Sequence, residues 1–169
     1  DTAYYVPASK KGIQDAGSVY RGDMGTKHTL QNMRLGNLLK EEAGWDTLTW
    51  NYKGKEYYFD QDTINAMAGT VSEYNDEGIS VSLVLLLDFP KDSAFQYLVR
   101  IGAQKKGAAP YYMMETTTQK AQETWEAIFS YLGFRFGQDS CFVSNWILGN
   151  EVNSCNAWNN PGNMNKTEY

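Results

Sequence analysis

The sequence is poor in the groups that carry most metal, redox and nucleophile chemistry. Histidine occurs once, at His28, and cysteine twice, at Cys141 and Cys155. A structural zinc site needs about four clustered ligands. One imidazole and two separated thiols do not supply them, so no metal is expected, and no other cofactor. The two cysteines flank a predicted strand of about ten residues, which would hold them roughly 30 Å apart. A disulfide needs Cα atoms within ~7 Å. Both are read as free thiols, unless the chain after Glu151 folds back, and the redox compartment stays open.

Other absences narrow the function. No run reaches the ~18 apolar residues of a membrane span, and the opening Asp1-Thr2-Ala3-Tyr4-Tyr5 lacks the pattern of a signal peptide. Fifteen basic residues against 20 acidic ones give a net charge of −5, which argues against nucleic acid and against an anionic membrane as partners. There is no glycine-rich phosphate loop, no Gly-x-Ser-x-Gly elbow, no repeat and no low-complexity tract.

What is present is an ordinary globular composition, 42% hydrophobic and 21% charged over 169 residues. That is enough for one domain, 1–169, with a real core. Aromatic residues make up 14%, and serve either as core packing or as platforms for sugar rings. Residues 1–23 look irregular. Gly25 to Met33 reads as a first strand leading to a polar tip, and Leu35 to Leu39 as a helical turn. Residues 45–59 alternate around Lys53-Gly54-Lys55, the pattern of a β-hairpin. Asp62 is a candidate N-cap for a helix carrying Ile64, Met67, Val71 and Tyr74, with Gly78 as its stop.

Ile79 to Leu87 is almost continuously apolar, as strands buried on both faces are. A helix over 92–104 and a short strand over Tyr111 to Glu115 follow. The clearest helix covers 117–136, with Thr116 and Gln119 at capping-box spacing and a stripe of Ala121, Trp125, Ile128, Phe129, Leu132 and Phe136. Phe142 to Val152 reads as a further strand. Alternating strands and helices imply βαβ units and a parallel sheet. The fold class expected is therefore α/β: about four βα units of a partial (β/α)₈ barrel, with a hairpin inserted after the first strand. A small doubly wound domain of flavodoxin-like type is the weaker alternative.

In either architecture chemistry sits at the C-terminal ends of parallel strands. The predicted strand ends carry His28 and Asn32, then Asp88, then Glu115, then Asn150, Glu151 and Asn153. Simple surface exposure explains such polar ends as well as a site does. The segment Trp146-Ile147-Leu148-Gly149-Asn150-Glu151 is more specific: it resembles the fourth-strand motif of clan A retaining glycoside hydrolases. The upstream stretches Trp125-Glu126-Ala127-Ile128-Phe129 and Phe134-Arg135-Phe136 look like the barrel helix before that strand. The wider pattern, over roughly residues 25–155, also resembles an uncharacterised bacterial family of glycosidase-like barrels.

The resemblance implies that Glu151 is the catalytic acid/base and that Asn150 binds the sugar beside the scissile bond. It implies carbohydrate as substrate, a polysaccharide or glycan, and a location outside the cell or in its envelope. Protonating a leaving glycosidic oxygen needs a carboxylic acid held neutral near working pH, which burial at a strand end can supply. Asn153, His28, Asp88, Glu115 and Trp158 are candidate substrate contacts. Each has a structural alternative: His28 as a hydrogen-bonded strand residue, Trp158 as a plug at the rim, Glu151 as a strand cap or ion-pair partner. The hairpin aromatics Trp45, Trp50, Tyr52, Tyr57 and Tyr58 either line an edge of the cleft or pack the hairpin.

A retaining mechanism also needs a nucleophilic carboxylate ~5–5.5 Å from the acid. In the clan that residue is a Glu on the seventh strand, and this sequence ends before a fifth. The isolated chain is therefore expected to be inactive. Four parallel strands would leave edges and an apolar face open, so the remaining half of the barrel is expected as a partner, from a second fragment or a symmetry mate. The alternative is a non-catalytic carbohydrate-binding or scaffold barrel.

Overall fold

The computed structural model describes residues 12–14, 25–103, 109–150 and 158–162. Its centre is a four-stranded parallel sheet. The strands are β1 (Gly12–Gln14), β2 (His28–Arg34), β6 (Ser80–Leu86) and β10 (Asn145–Leu148), adjacent in that order. Between β2 and β6 come β3 (Leu39–Lys40), β4 (Thr47–Tyr52), β5 (Lys55–Asp60) and helix α1 (Gln61–Asp76). Between β6 and β10 come a 3₁₀ turn (Ser93–Leu98), β7 (Tyr111–Tyr112), helix α2 (Gln119–Arg135), β8 (Gly137–Gln138) and β9 (Cys141–Phe142); β11 (Asn159–Asn160) follows. The protein is α/β.

The apolar run on β6 is buried at every position, as expected for a central strand with cover on both faces. On β2 burial alternates. Thr29, Gln31 and Met33 face the helices, and Gln31 Nε2 donates to Thr29 Oγ1 (3.0 Å) and to the Tyr74 hydroxyl of α1 (3.2 Å). Both helices pack on this face in one core that joins Met33, Leu83 and Leu85 to Ile64, Val71, Ala121 and Ile128. Strand register puts His28, Leu30, Asn32 and Arg34 on the other face, with Ser82 and Asn145.

The hairpin forms where the sequence places it. Its two turn residues, Lys53 (φ 51°) and Gly54 (φ 81°), both have positive φ, as a type I′ turn with right-handed strand twist requires. Short β3 adds a third, antiparallel strand beside β5, in place of the helical turn expected over Leu35–Leu39. The hairpin aromatics mostly pack. Phe59 and Tyr131 of α2 lie 4.0 Å apart between ring centroids, and Trp50 stacks on Phe134 at 5.0 Å. Trp45 alone stays open, 93% exposed.

Helix α1 starts at Asp60 rather than Asp62. The Asp60 carboxylate accepts from Thr63 N at 2.8 Å and pairs with Lys40 at 3.0 Å, so the last hairpin residue caps the helix. It ends in a Schellman pair, with Gly78 N donating to Asn75 O and Ile79 N to Tyr74 O, both 2.9 Å, around Gly78 at φ 69°. Burial raises the Asp60 pKa, but the Thr63 hydrogen bonds and Lys40 outweigh it, so the carboxyl lies below its ordinary 3.8. Its contribution is thus present above that value and lost as pH falls further. Asp60→Ala should cost about 1–2 kcal/mol in urea unfolding at neutral pH, and Asp60→Asn, which can still cap, should recover most of it. Equal losses in both variants would show that the Lys40 pair, not the cap, matters.

Four expectations are corrected downstream. The helix over 92–104 is only the six-residue 3₁₀ turn, because Val99 becomes extended and bridges to Met114. The strand over Tyr111–Glu115 shrinks to two residues and pairs with β11, not with the central sheet, so β10 lies directly beside β6. The strand over 142–152 is split: β9 turns back on β8, and only β10 joins the sheet. Helix α2 starts at Gln119 with Thr118 as N-cap and no side-chain cap bond. The Thr116–Gln119 box does not form, because Gln119 Nε2 donates to Glu123 instead (2.7 Å). Gly137 ends the helix where a Cβ would stand 2.5 Å from Gly133 O. Cys141 is a free, buried thiol; Cys155 lies outside the described residues.

Candidate active site

The C-terminal ends of β2, β6 and β10 lie at one rim of the sheet. Leu35 N donates to Leu86 O and Gly149 N to Leu85 O, both 2.9 Å, so pairing continues past the strand ends. Beside the rim is a largely apolar cleft of about 310 Å³, bounded by Leu86, Tyr112, Met114, Leu148, Gly149 and Asn159. The β7–β11 pair closes one side of it. Tyr112 N donates to Leu87 O at 2.8 Å, and Asn159 Nδ2 donates to Asn150 O at 2.7 Å. The backbone of Asn150 is therefore pinned while its side chain is exposed.

Two carboxylates that the sequence offers as substrate contacts are otherwise engaged. Asp88 Oδ1 accepts from Gly36 N at 2.8 Å and Oδ2 from Asn37 Nδ2 at 3.4 Å, tying the loop after β2 to the end of β6. The approach is so close that a Cβ on Gly36 would lie 2.2 Å from Asp88 O. Glu115 is 0% exposed. Its Oε2 accepts from Ile101 N (2.7 Å), and its Oε1 from Thr117 N (2.6 Å) and the Thr117 hydroxyl. Burial raises its pKa, but the Thr117 and Ile101 hydrogen bonds, with the Arg100 charge, outweigh it and hold the carboxyl below its ordinary 4.5. It is a buried, ionised brace between Ile101 and Thr117, not an open strand-end carboxylate.

His28 is also relocated. It is the first residue of β2, not near its end, so six residues of strand, roughly 20 Å at ~3.3 Å each, separate it from the C-terminal rim. There its Nε2 lies 2.7 Å from Ser82 Oγ, which also accepts from Asn145 Nδ2 at 3.2 Å. This is a structural polar cluster that strand register alone creates. Trp158 is half-buried, its ring edge-on to Tyr111 at 5.3 Å between centroids, and its carbonyl accepts from Tyr111 N at 3.1 Å; it anchors the rim rather than offering a free platform. Glu151 and Asn153 lie outside the described residues.

Sequence reading missed a second concavity. The hairpin, the 3₁₀ turn and the start of α2 enclose a pocket holding Lys55, Tyr57, Tyr97, Lys120 and Thr124. These come from three distant segments, and no local spacing signals it. Among the described residues no three His, Cys, Asp or Glu side chains converge to hold a metal ion, and no helix is long and apolar enough to cross a membrane.

The fold and rim define an α/β protein with a parallel sheet whose strand ends border a cleft. Residues 3–169 match DUF5722, a family of unknown function, and the chain belongs to that family. No curated protein matches it, and no solved structure does.

Proposed function

We propose that this protein is a retaining glycoside hydrolase acting on a polysaccharide or glycan, with Glu151 as acid/base and Asn150 and Asn153 beside the sugar. The observation that carries the reading is the place of Gly149-Asn150. They continue β10 past its C-terminal end, Gly149 borders the cleft, and the next residue in the sequence is Glu151. A parallel strand that runs into Gly149-Asn150 beside a cleft is the context in which the clan A motif would work. Work outside the cell or at its envelope goes with such a substrate.

The same reading takes the sheet as part of a (β/α)₈ barrel. In its support, β2, β6 and β10 are adjacent in chain order and both helices share one core. A doubly wound sheet reverses its order and is covered on both faces. The β10 edge adds support: Leu148 is 61% exposed, Trp146 40% and Ile147 39%. Successive residues point to opposite faces, so among the described residues this strand leaves apolar surface open on both faces. The remaining half of the barrel, from a second fragment or a second copy, would cover it.

The test is hydrolysis of a polysaccharide panel by the full-length protein, with the anomeric configuration of the first product read by NMR. Retention is expected; inversion would overturn the mechanism. No release from any glycan, with binding intact, would favour the second reading, a non-catalytic carbohydrate-binding barrel.

A further inference from the structure

The pocket beneath the hairpin measures about 230 Å³, below the usual range for drug-sized ligands and suited to a single ring. Its three walls, the β4–β5 hairpin, the 3₁₀ turn and the first turns of α2, all follow the C-terminal ends of parallel strands. In a protein of net charge −5, its lining mixes three lysines with two carboxylates, Glu41 and Glu56. Of its three lysines, Lys40 is neutralised by Asp46 (3.3 Å) and Asp60 (3.0 Å). Lys55 and Lys120 have no carboxylate within 4.0 Å among the described residues. Each instead lies over an aromatic face, Lys55 Nζ 4.9 Å from the Tyr57 ring centre and Lys120 Nζ 3.9 Å from that of Tyr97.

Such a contact steadies the charge but leaves the ammonium N–H groups available to an acceptor. The wall behind them is fixed. Thr124 Oγ1 donates to Lys120 O at 2.8 Å, so the Tyr97 hydroxyl, 2.9 Å from the same oxygen, donates to it. Of the two rim carboxylates, Glu56 accepts from the Tyr58 hydroxyl at 2.9 Å and Glu41 is exposed.

We propose that this pocket binds an acidic sugar unit, with the ammonium groups of Lys55 and Lys120 receiving its carboxylate or sulfate oxygens and the tyrosine-lined walls holding the ring. The sugar ring rests on the carbohydrate reading above; the oxyanion rests on the lysines alone.

The test is calorimetric titration of the full-length protein at low salt with glucuronate, glucose, glucose 6-sulfate and inorganic sulfate. It is repeated on Lys55→Met, Lys120→Met, Lys120→Arg and the control Lys91→Met, with thermal midpoints showing that each variant is folded. Saturable binding of glucuronate or glucose 6-sulfate is expected, at least about tenfold weaker for glucose and for each Met variant, and retained by Lys120→Arg and Lys91→Met. The better of the two acidic sugars identifies the group carried. Equal binding of glucose and glucuronate, or unchanged affinity in folded Met variants, would overturn the proposal. So would inorganic sulfate binding as tightly as either acidic sugar, which leaves a bare anion site. Lysine-dependent binding of an acidic sugar without hydrolysis of any glycan would keep this proposal and remove the glycosidase.

Discussion

Glu151→Gln in the full-length protein should lower turnover of a cleaved glycan by about 10²–10⁴-fold, the range general acid–base catalysis supplies. Binding of the same glycan should change little. The amide keeps the shape of the side chain and its capacity to accept a hydrogen bond, but it has no proton to give a leaving oxygen and none to take from water. The loss should be smallest for substrates with an activated leaving group, which leaves without protonation. That distinction separates an acid/base from a residue that merely holds the rim together, whose replacement would weaken all substrates alike. Asn150 supplies the companion measurement. Its backbone is pinned by Asn159, so Asn150→Ala should leave the rim intact and act through substrate. Full activity in folded Glu151→Gln removes Glu151 from the mechanism.

Glu115→Gln should destabilise the protein by about 2–4 kcal/mol at neutral pH, lowering the thermal midpoint by roughly 5–12 °C. The wild-type carboxylate accepts from three donors, two of them backbone N–H groups. A glutamine can turn its carbonyl oxygen to one side only, and its amide nitrogen then confronts a buried donor. The pH dependence carries the sign. The folded-state pKa lies below the ordinary 4.5, so the carboxylate's stabilisation is fully present above that value and lost as pH falls through the folded pKa. The gap between wild type and Glu115→Gln should therefore be widest near neutrality and close in acid. A constant gap, or none, would mean that Glu115 is not the ionised brace its hydrogen bonds describe.

The difference between Glu115 as ligand and Glu115 as brace shows where sequence reading stops. A glutamate after an apolar stretch looks like a strand-end carboxylate. Whether it is open depends on Ile101, 14 residues away, and on the segment folding back over it. Asp88 is the same case at longer range, since its partner Gly36 is 52 residues away. His28 is a smaller case: it precedes the polar end of β2 by six residues and opens the strand, so its imidazole lies at the opposite end of the sheet from Asp88.

What the sequence determined by itself is what local physics controls. The alternation about Lys53-Gly54 made the hairpin, because only positive φ at both turn residues matches strand twist. The spacing of Ile64, Val71 and Tyr74 and the glycine at Gly78 made α1, through periodic burial and a left-handed stop. The almost continuous apolar run made β6 the centre of a parallel sheet. The sequence also carries Gly149-Asn150-Glu151, and with it the functional proposal. Only the tertiary structure decided which strands are neighbours, which carboxylates are already engaged, and that Lys55 and Lys120 share a pocket. Hydrogen bonds and charge pairs between distant segments fix those outcomes, and such partners leave no periodicity in the chain.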